Sequence, residues 1–332
     1  MQFSVVMPSR NRPALLRKAI ESILAQDHDS FEVLVINDGS DGEAEAEYRA
    51  IGSDYGERVR VHDLEKTTRG HGQSYGINIG VELARGKYVT FLDDDDFWTD
   101  PYHLSRCQAV IERTDGAADA IYCNQRAIDP NGREVAPVWL DGLLDSPKVS
   151  ARCIDESLPA YQVTVADLMQ HPGFGHLNTS IVRRDLYLEI GGMDDNIRYE
   201  CDRDFFLRTI DAARTIVHIP LFVSQHHIPD PARRDNMSTV VTDLQKALFQ
   251  LYLLDKARLF ARHPEIRRHG RENKAYALKK ITESLADSGR HREAAAYARE
   301  ALGAGFTMKW LAYTAWLEVL GLVSPSTREE RT

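Results

Sequence analysis

The fold of this chain is decided by Tyr88-Val89-Thr90-Phe91-Leu92-Asp93-Asp94-Asp95-Asp96, a strand-like run that ends in four consecutive aspartates. Adjacent carboxylates repel one another and destabilise a fold unless a cation neutralises them. A hard divalent cation with oxygen ligands, Mg²⁺ or Mn²⁺, is the natural partner, and it commonly holds a phosphate as well. An isolated acidic run is more often a solvated turn or a helix N-terminus. The surrounding sequence decides between these two interpretations.

Strand and helix patterns alternate along the first hundred residues. Apolar runs and apolar spacing predict strands over 3–7, 31–36, 59–61 and 87–92, with helices from Pro13 onward and over 72–85. Strands that alternate with helices form a mostly parallel sheet with helices on both faces. The predicted fold class is therefore α/β, with a Rossmann-like sheet.

Polar clusters follow three of the predicted strands. They are Ser9-Arg10-Asn11, Asp38-Gly39-Ser40 and Asp93 to Asp96. Ligands of such sheets bind at the carboxyl ends of the strands. We therefore expect the three clusters to line one pocket, which favours the cation site over a solvated acidic turn.

The second half of the chain has fewer strand signals and ends in helices. The pattern predicts strands at 120–123 and 179–182, a hairpin turn at 129–132, and helices at 202–213, 275–285, 292–302 and 308–323. Strand signals stop at about Thr239. The last helix is expected to pack on the helical hairpin before it. The alternative is a helix that lies on a membrane surface, although few basic residues flank it.

Composition limits the function classes. The chain has 332 residues, enough for one large α/β domain and an appendage, and a net charge of -9, which argues against a general nucleic-acid binder. Its four cysteines are far apart and form no CxxC pair, which argues against a zinc site and fits a reducing cytosol. No signal peptide or run of 18 apolar residues is visible. We therefore expect a cytoplasmic protein, with contact to the inner face of the membrane left open.

Four motifs, in order, carry a resemblance to a known family. They are Val6-Met7-Pro8-Ser9-Arg10-Asn11-Arg12, Val35-Ile36-Asn37-Asp38-Gly39-Ser40, Phe91-Leu92-Asp93-Asp94-Asp95-Asp96, and Gly191-Gly192-Met193-Asp194 followed by Asp202-Arg203-Asp204-Phe205. With them the chain resembles the inverting family 2 glycosyltransferases of GT-A fold, in a bacterial type with a C-terminal helical extension. The resemblance covers residues 1–238, with a nucleotide-sugar half at 1–100 and an acceptor half at 101–238. The helical extension is predicted at 239–332.

The resemblance implies transfer of a sugar from a nucleotide diphosphate sugar, which we expect to be a UDP-sugar. The leaving diphosphate needs Mn²⁺ or Mg²⁺. Asp95 matches the metal ligand, Asp93 the first aspartate of the DxD pattern and Asp94 the ribose contact, while Asp96 stays open as a further ligand. Asp38 matches the residue that binds the base. The expected lining of the nucleotide pocket is Pro8, Ser9, Arg10 and Arg12. The late histidine that contacts metal or diphosphate matches His227, chosen over His226.

Inversion by direct displacement needs one base that takes the proton of the acceptor hydroxyl. Aligning on the fourth motif gives Asp202 that role. The family often has Glu-Asp here, whereas this chain has Cys201 before Asp202. Glu200 therefore stays open as the second candidate for the base.

Acceptor and rival functions are less defined. The resemblance points to a glycan or lipid-linked acceptor, and the C-terminal helices leave open a homo-oligomer or peripheral membrane contact. A sugar-phosphate nucleotidylyltransferase would carry a glycine-rich, arginine-bearing loop after the first strand, where this chain has Pro8-Ser9-Arg10-Asn11. A non-catalytic, transferase-like scaffold is the other alternative, and the intact acidic motifs speak against it.

Overall fold

The computed structural model of the chain describes residues 1–136, 139–155, 157–233 and 236–323. The chain divides into two compact units, residues 1–233 and residues 234–332. Among the described residues, the strands lie in the first unit and the second is helical. The domain boundary predicted after Ser238 stays a prediction.

The first unit alternates strands and helices along most of its length. Its strands are β1 (Phe3–Ser9), β2 (Phe31–Asn37), β3 (Val59–Asp63), β4 (Tyr88–Phe91), β5 (Phe97–Trp98), β6 (Ala120–Ile128), β7 (Glu134–Val135), β8 (Cys153–Asp155), β9 (Leu158–Val163), β10 (Ser180–Arg183) and β11 (Ile216–His227). Its helices are α1 (Pro13–Leu24), α2 (Gly42–Asp54), α3 (Gln73–Leu83), α4 (His103–Arg113), α5 (Pro147–Ser150), α6 (Val165–Gln170), α7 (Arg184–Glu189) and α8 (Cys201–Ala212).

These strands form one sheet in the order β3-β2-β1-β4-β10-β6-β11-β9-β8, with β5 paired to β11 and β7 to β6. The first four strands run parallel. β10 runs antiparallel to both β4 and β6, and β11 runs parallel to β6. The start of β10 and the end of β11 therefore lie at the same edge of the sheet as the carboxyl ends of β1, β2 and β4.

The parallel strands are buried on both faces of the sheet, as the residues of β1 illustrate. Successive residues of β1 face opposite sides of the sheet, and Phe3, Val5 and Val6 are all fully buried. Helix α3 approaches the sheet closely, since a Cβ on Gly80 would lie 2.3 Å from Cγ1 of Val6. Strands buried on both faces are typical of an α/β fold, so the predicted fold class is confirmed.

The predicted elements occur close to their expected positions. β1 to β4, β6, β10 and α8 overlap the predicted ranges, and β6 and β7 form the predicted hairpin around the turn at 129–132. The sequence analysis missed β11. Pro220 and the polar end Ser224 to His227 interrupt its apolar run. It also missed α2, which is rich in glutamate and buries only Tyr48 and Ile51.

The second unit is a helical bundle. Its helices are α9 (Met237–Val240), α10 (Asp243–Phe260), α11 (Pro264–Asp287), α12 (His291–Ala304) and α13 (Met308–Val323). Leu278 and Ile281 of α11 pack with Ala298 of α12 and Leu317 of α13 in its core. Trp310 anchors α13 to the hairpin by donating from Nε1 to the carbonyl of Ala298, at 3.1 Å. No helix in the described part of the chain is long and apolar enough to cross a bilayer.

Candidate active site

Five chain segments meet at one edge of the sheet. Residues Asp93 to Asp96 follow β4, Ser9 ends β1, and Asp38 follows β2. Asn178 lies just before β10, and His226 lies near the end of β11. The three polar clusters predicted to line one pocket lie at this edge, because β1, β2 and β4 are parallel neighbours.

The guanidinium of Arg12 pairs with the carboxylates of both Asp94 and Asp95. Nη1 of Arg12 lies 2.9 Å from Oδ2 of Asp95 and 3.3 Å from Oδ1 of Asp94. The hydroxyl of Ser9 donates to Oδ2 of Asp94 at 2.5 Å. Burial raises the pKa of Asp94 to about 6, and the neighbouring Asp95 adds to this shift, whereas Arg12 and Ser9 oppose it. Burial and the charge of Asp96 raise the pKa of Asp95 too.

Asp96 is the anchor of the acidic loop. It is 1% exposed and accepts hydrogen bonds from Asn178 Nδ2 at 2.6 Å, His226 Nδ1 at 2.7 Å and the His227 backbone N–H at 2.7 Å. Burial opposes the charged form, but His226 outweighs burial and holds the pKa of Asp96 well below its usual range. Asp96 is therefore a charged, fully bonded carboxylate that ties β4 to β11.

Asp93 also belongs to this site, but its surroundings oppose its ionised form. Its Oδ1 accepts from Nε2 of Gln73 at 2.6 Å, and its backbone N–H donates to Asn178 Oδ1 at 3.0 Å. Burial and the charges of its neighbours Asp96 and Asp95 raise the pKa of Asp93 well above its usual range. An extra positive charge beside Asp93 would therefore stabilise the loop.

One group of side chains at this edge has the spacing of a metal site. Ligand atoms of Asp93, His176 and His226 all lie within 4.8 Å of one another. Burial lowers the pKa of His176 to about 3, so its imidazole is neutral and can ligate. Oxygen and imidazole donors suit Mn²⁺, and these three residues fit a divalent ion.

The two late histidines have different surroundings. His226 belongs to the group with Asp93, whereas Nδ1–H of His227 donates to the backbone carbonyl of Asp95 at 2.7 Å. His227 also lies near Phe97, with ring centroids 5.3 Å apart. The role of His227 as a metal ligand stays a prediction, and the geometry favours the alternative, His226.

Asp202 lies in the first turn of α8. Its Oδ1 accepts from the backbone N–H of Arg203 at 2.8 Å, and its Oδ2 lies 3.7 Å from Nε2 of His176. Burial raises the pKa of Asp202, which brings this carboxylate closer to the value that suits a general base. Glu200 caps the same helix in a left-handed conformation, φ +58°, and its carboxylate lies 3.6 Å from the Arg203 guanidinium.

Asp38 is covered by the loop before α3. Its carboxylate accepts from the His71 backbone N–H and ring Nδ1, both at 2.8 Å, and from the Gly72 N–H at 2.9 Å. Gly70 presses on the same group, since a Cβ there would lie 2.5 Å from Asp38 Oδ2 and 2.6 Å from Arg10 Nη1. These bonds outweigh burial and lower the pKa of Asp38.

Next to Asp38 lies a cleft of about 670 Å³. It is lined by Thr67, Thr68, Arg69, Gly70, His71, Tyr75, Asp195 and Arg198. The rings of His71 and Tyr75 stack with centroids 4.8 Å apart. Gln73, which follows the lining residues Gly70 and His71 along the chain, donates from Nε2 to Asp93. The cleft thus offers aromatic faces and two arginines close to the acidic loop.

The remaining predicted residues lie at the end of β1. Pro8 contacts α3, where a Cβ on Gly76 would lie 3.0 Å from its own Cβ. Arg10 donates to the carbonyl of Thr67 at 3.1 Å. Ser9 and Arg12 therefore border the acidic loop, Arg10 borders the loop that covers Asp38, and Pro8 borders α3. The binding role of each stays a prediction.

Comparison with known proteins identifies the family. The sequence pattern of glycosyl transferase family 2 matches residues 4–190, more than half of the chain. The chain belongs to glycosyl transferase family 2. The family predicted from the four motifs is thereby confirmed.

The alignments with curated relatives cover only part of this chain and part of each relative. An uncharacterized glycosyltransferase of Rickettsia prowazekii is 27% identical over 206 residues, which cover 62% of this chain and 57% of that protein. Another, of Rickettsia bellii, is 30% identical over 147 residues, which cover 44% of this chain and 20% of that protein. The chain therefore spans between about a fifth and three fifths of the length of these relatives.

Two solved structures share the fold. Residues 1–349 of S. aureus TarS, in complex with UDP-GlcNAc, give a TM-score of 0.65 at 17% identity, over 97% of this chain and 88% of that one. The mannosyltransferase PcManGT from Pyrobaculum calidifontis, in complex with GDP-Man and Mn²⁺, gives 0.57 at 16%, over 96% and 84%. The predicted GT-A fold with a helical extension is confirmed.

Several residues at this family 2 site escaped the sequence analysis. Asn178 and Gln73 hold Asp93 and Asp96 in place, His71 covers Asp38, and His176 lies beside Asp202. No motif marks Asn178 or Gln73, because each acts on residues about 20 to 85 positions away. The sequence around His176, from His171 to Gly175, predicts a loop and gives this histidine no role in a cation site.

Proposed function

We propose that this protein is a metal-dependent, inverting glycosyltransferase that moves a sugar from a nucleotide diphosphate sugar, a UDP-sugar, to a hydroxyl of a glycan or lipid-linked acceptor. One observation carries the proposal. The carboxylate of Asp202 lies 3.7 Å from Nε2 of His176. Ligand atoms of His176 and Asp93 in turn lie within 4.8 Å of each other, as in a metal site. A base and a cation site thus lie side by side, as displacement of a diphosphate requires.

The divalent cation would be held by Asp95 and Asp93, with His226 or His227 as a nitrogen ligand. When bound, Mn²⁺ or Mg²⁺ neutralises charge that develops on the leaving diphosphate. The raised pKa values of Asp93 and Asp95 support this assignment, since both carboxylates lack sufficient positive charge nearby.

Asp202 would act on the acceptor. Its carboxylate takes the proton of the acceptor hydroxyl while that oxygen attacks the anomeric carbon from the face opposite the diphosphate. The bond between the anomeric carbon and the diphosphate oxygen breaks, and the diphosphate leaves with the electron pair. The sugar is therefore transferred with inverted configuration. The raised pKa of Asp202 supports this role, because proton transfer is efficient when the base has a pKa near the working pH.

The cleft beside Asp38 would receive the nucleoside. Nδ1 of His71 lies 2.8 Å from Asp38, and in the tautomer whose Nδ1–H donates to Asp38, Nε2 can accept a hydrogen bond. An acceptor suits the N3–H of uracil, and the stacked pair of His71 and Tyr75 offers an aromatic face to a base. We extend to this chain the kind of donor that is bound in the TarS complex, a UDP-sugar.

Nucleotide binding tests the proposal directly. Thermal unfolding is measured with UDP, GDP, dTDP and CDP, each with and without Mn²⁺. A ligand that binds only the native state at 100 times its Kd stabilises it by about 2.7 kcal/mol. We expect a Mn²⁺-dependent increase in melting temperature with UDP. Pyrophosphate release from UTP and a sugar phosphate would instead indicate a nucleotidylyltransferase, and no shift with any nucleotide would favour a scaffold.

A further inference from the structure

The side chain of Arg12 bridges two of the four aspartates of the acidic loop. Its Nη1 lies 2.9 Å from Oδ2 of Asp95 and 3.3 Å from Oδ1 of Asp94. Asp94 is held on its other oxygen by the Ser9 hydroxyl. One guanidinium nitrogen therefore supplies positive charge to two carboxylates, and one of these, Asp95, is the residue assigned to the divalent cation.

The backbone of Arg12 is fixed, and its side chain is partly exposed. Its N–H donates to the hydroxyl of Tyr48 at 3.3 Å, and Pro13 after it begins α1. Asn11 before it has a left-handed conformation, φ +57°, and donates its N–H to Ser40 Oγ at 2.9 Å. The side chain of Arg12 is 22% exposed. Separation of the guanidinium from Asp95 would therefore be a movement of the side chain, with the backbone held in place.

We propose that Arg12 is a built-in competitor of the divalent cation for Asp95, an inference that rests on the proposed function. A carboxylate that ligates a cation directs its lone pairs at the ion, and Arg12 occupies Asp95 with a hydrogen bond. The positive charge of Arg12 also repels a cation at the same oxygen. A cation that approaches Oδ2 of Asp95 therefore competes with Arg12 for this oxygen.

The displaced guanidinium has a second partner when a nucleotide is present. Arginine pairs with phosphate oxygens through two parallel hydrogen bonds. A diphosphate held by the cation at Asp95 would bring such oxygens within reach of Arg12. Arg12 would then weaken binding of the cation alone and strengthen binding of the cation with a nucleoside diphosphate, so the two ligands bind cooperatively.

The test measures binding and not turnover. Free Mn²⁺ is titrated by electron paramagnetic resonance against wild type, Arg12→Gln, Arg12→Lys and the control Arg17→Gln. Arg17 lies on α1, the helix that follows Arg12, and pairs with Asp54 at 2.7 Å, outside the acidic loop. We expect Arg12→Gln to bind Mn²⁺ about fivefold more tightly than wild type, and UDP with saturating Mn²⁺ about tenfold more weakly. Arg12→Lys should lie between the two, and Arg17→Gln should match wild type.

Arg12→Gln is expected to change the affinities for Mn²⁺ and for UDP in opposite directions. Damage to the fold would instead weaken the binding of both ligands. An unchanged or weaker Mn²⁺ affinity of Arg12→Gln overturns the proposal, as does the absence of Mn²⁺ binding in every variant. In an Asp95→Asn background the gain from Arg12→Gln should disappear. If wild type binds no nucleotide with Mn²⁺, the transferase proposal fails. If wild type binds UDP normally while the Mn²⁺ affinity of Arg12→Gln is unchanged, only the role of Arg12 fails.

Discussion

Nδ1 of His226 lies 2.7 Å from Oδ2 of Asp96, and this ion pair joins the end of β11 to the loop after β4. The side chain of Asp96 is fully buried and that of His226 is 23% exposed. Burial lowers the pKa of His226, but the charge and hydrogen bond of Asp96, together with the charges of Asp93 and Asp95, outweigh burial and raise this pKa to about 9. The protonated imidazole thus replaces part of the positive charge that the four aspartates need.

This pair predicts how stability depends on pH in protein treated with a chelator. The pKa of His226 is about 9 in the folded protein and about 6.5 in the unfolded chain. The stabilisation is therefore complete below about pH 6.5 and is lost as the pH rises through 9. We expect wild type to exceed His226→Gln in free energy of unfolding by on the order of 2–3 kcal/mol more at pH 6 than at pH 10.

Urea unfolding at both pH values measures this difference. His62→Gln, which changes an exposed histidine on β3, serves as the control. A difference between wild type and His226→Gln that does not change with pH would contradict the ion pair as a source of stability.

Replacing Asp95 tests the predicted metal ligand. Asp95→Asn keeps the shape of the side chain but removes the charge that a hard cation needs. We expect turnover to fall by at least about 100-fold and Mn²⁺-dependent binding of UDP to weaken by about 10- to 100-fold. Asp29→Asn, on an aspartate that is 94% exposed, should leave both unchanged. Retained activity with normal metal dependence would remove Asp95 from the metal site.

Replacing Asp202 distinguishes the two candidates for the base. Asp202→Asn cannot accept a proton, so kcat should fall by about 10²- to 10⁴-fold while nucleotide binding stays normal. Glu200→Gln should reduce kcat much less, because Glu200 caps α8 and interacts with Arg203. Single-turnover transfer and UDP titration measure the two effects separately. Normal transfer by Asp202→Asn together with loss in Glu200→Gln would move the base to Glu200.

The sequence allowed the fold to be predicted because its signals are local. The buried run Tyr88 to Leu92 requires a strand, and the helix-forming pattern before it requires a crossover, which together predict a parallel sheet. The ends of such strands meet, so the meeting of Ser9 with Asp94 could be expected. Local patterns were therefore sufficient to predict which residues meet at the ends of neighbouring parallel strands.

The contacts between distant segments could not be predicted in the same way. Asn178 reaches Asp96 because β10 runs antiparallel beside β4, and His226 reaches it because β11 runs parallel to β6. Neither pairing has a signature in the sequence, and β11 itself was missed. The choice between His226 and His227 therefore depended on a register that only the three-dimensional structure supplies.

The loop over Asp38 provides the last prediction, which uses two glycines with nearly the same backbone. Gly70 has φ +69° and Gly56 has φ +68°. An alanine at either position is strained by about 1–2 kcal/mol. At Gly56 the new Cβ meets nothing within 4 Å, whereas at Gly70 it would lie 2.5 Å from Asp38 Oδ2. The new methyl group would push the loop and Asp38 apart, and the hydrogen bonds that His71 and Gly72 donate to Asp38 would be lost.

We therefore expect Gly70→Ala to lower UDP affinity about tenfold or more, since the moved loop carries His71 away from Asp38. Gly56→Ala should lose a similar amount of stability from backbone strain and keep its affinity for UDP. Thermal unfolding and UDP titration of both variants measure the two quantities. Equal UDP affinities would contradict a nucleotide site beside Asp38, because the two substitutions share their strain and differ only in what the new methyl group contacts.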